Sequence, residues 1–171
     1  SYDVAGVDTY IAYRLPESDL GSFKVHLDTS YFIKNKFNGD EQLGVQYGDG
    51  GYPRIKGAFG IDWMSGDWNA NYQARYVHHM LHADAFFYGS TADDGITPEI
   101  PSYVVHDISG TYNLSSYNAK VTLGVENLFA KEPTPEGINS AFAYSANNFS
   151  VTEYDVNMDR FVYLRATVKF W

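Results

Sequence analysis

The chain contains no cysteine among its 171 residues. This absence excludes disulfide bonds, zinc sites built from thiolates and nucleophilic catalysis by a thiol. Basic residues are also scarce, since 12 Lys and Arg stand against 21 Asp and Glu, which gives a formal net charge of -9. A nucleic-acid partner calls for a clustered basic surface, so this charge balance argues against one.

Long apolar runs are missing as well. A membrane-spanning helix needs roughly 20 consecutive apolar residues, and no segment of this sequence approaches that length. The only membrane-spanning form that remains open is a β-barrel, in which each strand satisfies its backbone groups against a neighbour. No basic start followed by an apolar stretch marks a signal peptide, so Ser1 is either a mature terminus or a cut within a longer chain, and we favour the cut.

Signatures of catalysis are also absent. The sequence has no nucleophile elbow, phosphate-binding loop or zinc-hydrolase motif, and we therefore expect neither an enzyme nor a cofactor. The nearest approach to a metal site is His78-His79-x-x-His82, in which His78 and His82 share one face of an extended strand. A metal site at His78 and His82 would need a third ligand from a neighbouring segment, so we favour a solvated position at the rim of the fold over metal binding.

Aromatic side chains are abundant and make up 17% of the residues. They fall into segments of strict alternation, which the end of the chain shows best. There, Val162 and Leu164 alternate with Tyr163 and Arg165, the pattern of a strand with one apolar and one polar face. The pattern continues to Trp171, so we expect this strand to pair with a neighbour along its whole length.

The same alternation predicts seven antiparallel strands, at residues 7–15, 23–33, 55–63, 68–76, 107–114, 119–126 and 162–170. Tight turns are predicted at 16–21, 65–67 and 115–118, and long exposed loops at 34–52, 89–101 and 130–159. Short turns on one side and long loops on the other are typical of bacterial outer-membrane barrels, whose short side is periplasmic. About eleven residues per strand, tilted near 45°, rise about 25 Å, which is the height of the apolar band of such a barrel.

A soluble antiparallel sandwich would show the same alternation and would also confine charges to one face. The aromatic residues favour the membrane barrel. Large aromatic side chains occupy the apolar-face positions nearest the tight turns, at Tyr13, Phe23, Trp63, Trp68, Tyr112 and Phe170. Such a row is typical of the girdle at a membrane interface, whereas a sandwich core has no reason to place its largest side chains beside the turns.

The segment at residues 121–132 resembles a motif of a known family. It reads Val-Thr-Leu-Gly-Val-Glu-Asn-Leu-Phe-Ala-Lys-Glu and is followed by Pro133. It resembles the penultimate strand of TonB-dependent outer-membrane receptors, which ends in Asn-Leu-Phe-Asp-Lys and enters a long external loop. Tyr154-Asp155, then Arg160 and the strand to Phe170, resemble that family's closing segment.

Three positions depart from the family pattern. Ala130 stands where the family usually has Asp, and Asp159 stands where it has Gly before the arginine. Trp171 extends one residue past the usual final Phe. These departures bear on the geometry of the last long loop.

The resemblance implies an all-β, antiparallel transmembrane barrel of twenty-two strands with an N-terminal plug domain, of which residues 1–171 would be the C-terminal third of the barrel without the plug. It implies outer-membrane uptake of a scarce ligand, such as siderophore-bound iron, cobalamin or a glycan, driven by TonB. The alternative, from another class, is a passive porin-like or adhesion barrel assembled from more than one chain.

The resemblance also implies roles for particular residues. The lumen of the channel would be lined by Lys56, Asp62, Arg75, Asp107, Glu126 and Arg165. The assembly signal read by the barrel-assembly machinery would lie at Tyr163, Val168, Phe170 and Trp171. The implied partners are outer-membrane lipid and lipopolysaccharide, the remainder of the barrel and its plug, and TonB through the missing N-terminal part.

Overall fold

A computed structural model of the chain describes residues 1–47, 50–96, 98–132 and 159–170. The strands are β1 Tyr2–Arg14, β2 Ser22–Phe37, β3 Asp40–Glu41, β4 Val45–Tyr47, β5 Gly50–Gly51, β6 Ile55–Ser65, β7 Trp68–Val77, β8 Met80–His82, β9 Glu99–Ile100, β10 Tyr103–Leu114, β11 Ala119–Glu126 and β12 Phe161–Val168. The helical elements are the α-helix α1 Ala83–Tyr88 and 3-10 turns at Ala92–Asp94 and Ser115–Tyr117. None of the helices in these ranges has the length and apolar character of a membrane span.

Seven long strands form one antiparallel meander in the order β1-β2-β6-β7-β10-β11-β12, and β3 pairs with β2 at its end. This order confirms the predicted all-β class and the seven predicted strands. One register runs through the sheet: Lys24 lies opposite Asp62, which lies opposite Asn71. Because opposite residues of an antiparallel pair share a face, the sheet has two continuous faces.

Large apolar side chains on one face of this sheet stay exposed. Ile11 on β1 is 58% exposed and Leu164 on β12 is 74% exposed. We call this the apolar face and the opposite one the polar face. The sheet by itself therefore encloses no hydrophobic core along most of its length.

The first two strands are longer than the sequence predicts. β1 begins at Tyr2 and β2 continues to Phe37, with Tyr2 and Phe37 paired across the ladder. The alternation is interrupted there because the register shifts at a bulge between Ala5 and Gly6. Backbone pairing continues past the bulge, and Lys34 Nζ lies 2.6 Å from a carboxylate oxygen of Asp3 on the neighbouring strand.

The described residues between β2 and β6 and between β7 and β10 form a second unit, which we call the outer layer. It holds a four-stranded sheet in the order β5-β4-β8-β9, with α1 following β8. Val45, Met80 and Ile100 are at most 1% exposed. The prediction of exposed loops at 34–52 and 89–101 is wrong for Val45 and Ile100, because the short strands bury their apolar side chains against one another and against the sheet.

The predicted tight turns are confirmed. Gly21 has a φ of 101°, and a Cβ placed there would lie 2.3 Å from the carbonyl oxygen of Met64, so only glycine fits. Gly66 and Asn118 occupy the left-handed region in the other two turns, with φ values of 56° and 47°. The third predicted loop, 130–159, lies mostly outside the described residues.

Candidate functional site

The six charged residues predicted to line a lumen occupy the polar face. Their positions follow from alternation along each strand and from the shared register, in which Asp107 lies opposite Gln73 and Arg75 lies opposite Ala58. The set on this face is Lys56, Asp62, Arg75, Asp107, Glu126 and Arg165. Sharing a face does not place these six side chains in one site, because they contact different neighbours.

Arg75 on β7 and Asp107 on β10 form a two-contact ion pair. Nε of Arg75 donates to one carboxylate oxygen of Asp107 at 3.0 Å, and a terminal guanidinium nitrogen lies 2.9 Å from the same oxygen. The other carboxylate oxygen accepts the backbone N–H of Asn127 at 2.9 Å. Asp107 therefore joins β7, β10 and the end of β11 through charge-assisted hydrogen bonds.

Asn127 holds the turn that follows β11. Its buried side chain accepts the backbone N–H of Lys131 at 2.8 Å and donates to the Lys131 carbonyl at 3.0 Å. The hydroxyl of Tyr103 donates to the same carbonyl at 2.9 Å. Ala130 has a φ of 49° in this turn, a conformation that Asp or Asn adopts more readily than Ala. The departure at Ala130 thus falls on a backbone position that disfavours alanine.

A groove of about 370 Å³ lies on the polar face beside the ion pair. Its walls include Asn71, Gln73, Arg75, Asp107, Glu126 and Tyr163. Amide, carboxylate, guanidinium and phenol groups together offer both donors and acceptors to a polar ligand or to another protein segment. Three of the predicted lumen residues, Arg75, Asp107 and Glu126, meet in this groove.

The other three are not among its walls. Asp62 accepts a hydrogen bond from Nδ2 of Asn71 at 2.7 Å. The guanidinium of Arg165 lies 5.7 Å from the ring centroid of Tyr163, within cation–π range. Lys56 is at the outer end of the sheet, opposite Val77. The predicted lumen set therefore comprises three residues in the groove, two that each contact one residue of its wall, and Lys56 at the end of the sheet.

The two histidines predicted to share a strand face do not do so, because β7 ends at Val77 and His82 belongs to the separate strand β8. His82 is 1% exposed, which corrects the prediction of a solvated rim position. Its Nδ1 accepts the backbone N–H of Asp84 at 3.2 Å and so caps α1. Burial lowers the pKa of His82, and the Asp84 carboxylate opposes that shift. In the part of the chain that the structure describes, no cluster of three or more His, Asp or Glu side chains could hold a metal ion.

Comparison with known proteins assigns the chain to a family. Residues 3–128 match the family described as TonB dependent receptor-like, beta-barrel. The chain belongs to this family. No curated protein sequence matches it.

Solved structures of transporters and receptors share the fold. The copper transporter OprC matches with a TM-score of 0.55 and 19% identity over 96% of this chain. A mutant of the ferric enterobactin receptor PfeA from Pseudomonas aeruginosa matches with a TM-score of 0.57 and 20% identity over 95% of this chain. The chain spans only 23% and 22% of those two proteins. The expectation of no catalytic activity remains a prediction.

In the sheet of this TonB-dependent receptor-like protein, four of the residues predicted to form the girdle lie opposite one another in two pairs. Phe23 lies opposite Trp63. Trp68 lies opposite Tyr112, and their rings are 4.7 Å apart between centroids. Phe170 lies beyond the end of β12 and is 72% exposed.

The predicted assembly residues of the barrel are divided between the faces. Tyr163 lies on the polar face, and its ring covers Gly124 so closely that a Cβ there would be 2.2 Å from a ring carbon. Val168 is the last residue of β12 and pairs with Ala119. Trp171 lies outside the described residues.

Sequence reasoning missed two features of this family member. One is the hydrogen-bonded turn at Asn127, although the motif that contains it was recognised; an asparagine directly after a predicted strand was the available signal. The other is the pair formed by Tyr72 and His106, whose hydroxyl and Nδ1 lie 2.7 Å apart. His106 gave no signal because it interrupts the apolar alternation of its strand.

Proposed function

We propose that this chain forms part of the wall of an outer-membrane receptor that takes up a scarce ligand by TonB-dependent active transport. The observation that supports this most is the position of the outer layer. Met80 and Ile100 of that layer pack against Val77 and Tyr103, which lie on the polar face of the sheet. A polar wall covered at one end by folded loops is the arrangement expected of the interior of a gated barrel.

In this proposal the polar face lines the lumen and the apolar face contacts lipid. The register of the predicted girdle residues supports this assignment of the two faces, because it gives the strand tilt. Tyr13 lies opposite Val25, two residues from Phe23, and Ala70, the partner of Trp63, lies two residues from Trp68. The girdle thus shifts by about one residue per strand, which at ~3.3 Å per residue and ~4.8 Å between strands corresponds to a strand tilt of about 35°. Membrane barrels have tilts of about 35–45°.

The ligand classes proposed are siderophore-bound iron, cobalamin and glycans. OprC is described as a copper transporter and PfeA as a ferric enterobactin receptor, so transport of scarce metals occurs among proteins of this fold. The groove beside Arg75 and Asp107 would contact ligand or plug, and the outer layer would help to capture ligand. We further propose that Tyr163, Val168, Phe170 and Trp171 act in recognition by the barrel-assembly machinery.

Uptake by the full-length receptor tests the proposal. Cells with and without its gene are supplied with radiolabelled ferric siderophore, cobalamin or glycan, and accumulation is measured with an intact proton gradient and after addition of a protonophore. We expect the receptor to raise uptake of one ligand, and we expect the protonophore or deletion of TonB to abolish that increase.

A different outcome would identify the alternative. Uptake that depends on the gene but is unchanged by the protonophore and by loss of TonB would indicate a passive porin-like barrel. Absence of the protein from the outer-membrane fraction would contradict both.

A further inference from the structure

Four basic side chains lie on the polar face at the height of the predicted girdle. Neighbouring residues of a strand stand at nearly the same height and point to opposite faces. Three of these cations directly precede or follow a girdle residue: Arg14 follows Tyr13, Lys24 follows Phe23 and Lys169 precedes Phe170. The fourth, Lys120 on β11, lies opposite Asn113, which follows Tyr112. We call Arg14, Lys24, Lys120 and Lys169 the basic collar.

The positive charge of the collar is not neutralised by the strands around it. Arg14 lies directly opposite Lys24, an arrangement of like charges that destabilises a strand pair. Asp62 lies opposite Lys24, but its carboxylate accepts a hydrogen bond from Nδ2 of Asn71 at 2.7 Å. Among the residues that the structure describes, no carboxylate oxygen lies within 4.0 Å of a charged nitrogen of the collar. The collar therefore presents an excess of positive charge.

The collar cations line two grooves on the polar face. Arg14 and Lys24 line a groove of about 250 Å³, and Lys120 and Lys169 line one of about 450 Å³. The backbone N–H of Lys169 donates to the carbonyl of Asn118 at 2.9 Å, which holds Lys169 beside the start of β11. Amide and hydroxyl groups of neighbouring Asn and Thr residues complete both walls. Cations flanked by neutral donors suit carboxylate side chains, which only accept hydrogen bonds.

We propose that the basic collar binds an acidic segment of the plug domain through ion pairs inside the periplasmic mouth of the barrel. This inference rests on the proposed function, in which the polar face lines the lumen and the tight turns are periplasmic. The collar faces away from lipid, so lipid headgroups do not reach it. A group of cations in a chain of net charge -9 is a local reversal of sign, which suits an acidic partner.

The partner must come from outside residues 1–171. This chain spans only 23% of OprC and 22% of PfeA, and the lumen of a twenty-two-stranded barrel is closed by a plug. A plug carboxylate beside Arg14 and Lys24 would relieve the repulsion between these two opposed cations. The collar thus gives the plug a fixed contact at the end of the lumen that lies opposite the outer layer.

Cross-linking of the full-length receptor with a carbodiimide tests the inference, because this reagent joins a lysine amine to a carboxylate that it contacts. Peptide mass spectrometry identifies the linked residues. Lys34 serves as an internal standard, since its Nζ lies 2.6 Å from a carboxylate oxygen of Asp3. We expect Lys24, Lys120 or Lys169 to be linked to Asp or Glu of the plug. Linkage of Lys34 to Asp3 without any linkage of a collar lysine to the plug would overturn the inference.

Hydrogen exchange of the plug measures what the collar contributes. In a variant with Arg14→Gln and Lys24→Gln, we expect plug amides at the periplasmic end to exchange about fivefold faster, because ion pairs of modest individual strength are lost together. The matched control carries Lys34→Gln and Lys36→Gln at the other end of β2 and should change plug exchange less than about twofold. Unchanged exchange in the collar variant would overturn the inference.

Uptake separates this inference from the proposed function. TonB-dependent uptake by a receptor whose plug is not linked to the collar would leave the proposed function standing and overturn the inference alone. A full-length protein that lacks a plug would contradict both.

Discussion

The seven-strand sheet and the outer layer are both built by backbone pairing between strands, but they differ in how far their apolar side chains are buried. The buried hydrophobic residues of the described chain, such as Val45, Met80 and Ile100, lie in the outer layer or where the sheet meets it. By contrast, β1 leaves nearly all of its side chains exposed, with Ile11 at 58% and Tyr13 at 60%.

The difference reflects the solvent that each region meets in the proposed barrel. The outer layer would stand in water, where apolar side chains must cover one another to gain the hydrophobic free energy of burial. The apolar face of the sheet would stand in lipid, where exposed leucine and isoleucine carry no such penalty. Substitutions in the two regions should therefore lower stability for different physical reasons.

The largest effect is expected in the outer layer. Met80→Ala removes a side chain that is fully buried and should cost that layer about 2–5 kcal/mol through the cavity it leaves. Hydrogen exchange of the full-length receptor should show faster exchange at β4, β8 and β9 and unchanged exchange at β11 and β12. Its control, Leu81→Ala, alters a neighbour that is 42% exposed and should cost less than about 1 kcal/mol. Faster exchange spread evenly over both regions would contradict the division.

The next effect is expected on the apolar face. Leu27→Lys places a charge near the middle of the membrane band and should cost about 2–4 kcal/mol of folding free energy in lipid vesicles. Asp28→Lys changes the adjacent residue, which alternation places on the polar face, and should cost much less. Urea titrations followed by electrophoretic mobility would measure both. Equal losses of folding free energy in the two variants would show that both faces contact the same medium.

A smaller effect is expected on the polar face of the sheet. Asp107→Ala leaves Arg75 and the backbone N–H of Asn127 without their shared carboxylate, and we expect a loss of about 2 kcal/mol. Asp28→Ala removes an exposed carboxylate from the same face and should change stability by less than about 0.5 kcal/mol. The same urea titration distinguishes them, and a neutral Asp107→Ala would contradict a structural role for the ion pair.

The smallest expected effect is an increase in stability. Ala130 has a φ of 49°, so Ala130→Gly relieves a strained backbone position and should stabilise the turn after β11 by about 0.5–1 kcal/mol. Ala119→Gly, at the start of β11, should instead destabilise by a similar amount, because glycine weakens a strand. Thermal unfolding monitored by electrophoretic mobility would compare them. A loss of stability in Ala130→Gly would contradict the assigned strain.

The sheet could be predicted from the sequence because each long strand repeats one two-residue period over eight or more positions. Val162 to Phe170 and Phe23 to Ile33 carry that signal without help from the rest of the chain. The prediction failed where pairing continued without alternation, as at Lys34 to Phe37 beside the bulge at Gly6.

The outer layer could not be predicted in the same way. Strands such as Val45–Tyr47 and Met80–His82 are too short to show a period, and they pair with each other although they lie far apart in the sequence. The burial of His82 depends on its position before the short helix α1, which tertiary contacts stabilise. The ion pair between Arg75 and Asp107 depends likewise on register between strands, which charge alone does not reveal.

The most direct test of the account concerns the two faces of the sheet. This chain has no cysteine, so in the full-length receptor, with any cysteine elsewhere replaced by serine, single cysteines can be introduced from Val25 to Thr29 of β2 and spin-labelled in lipid vesicles. The account predicts that dissolved oxygen relaxes labels best at Val25, Leu27 and Thr29, and that a water-soluble nickel complex relaxes them best at His26 and Asp28. Equal access of the nickel complex to all of these positions would contradict the assignment of the apolar face to lipid.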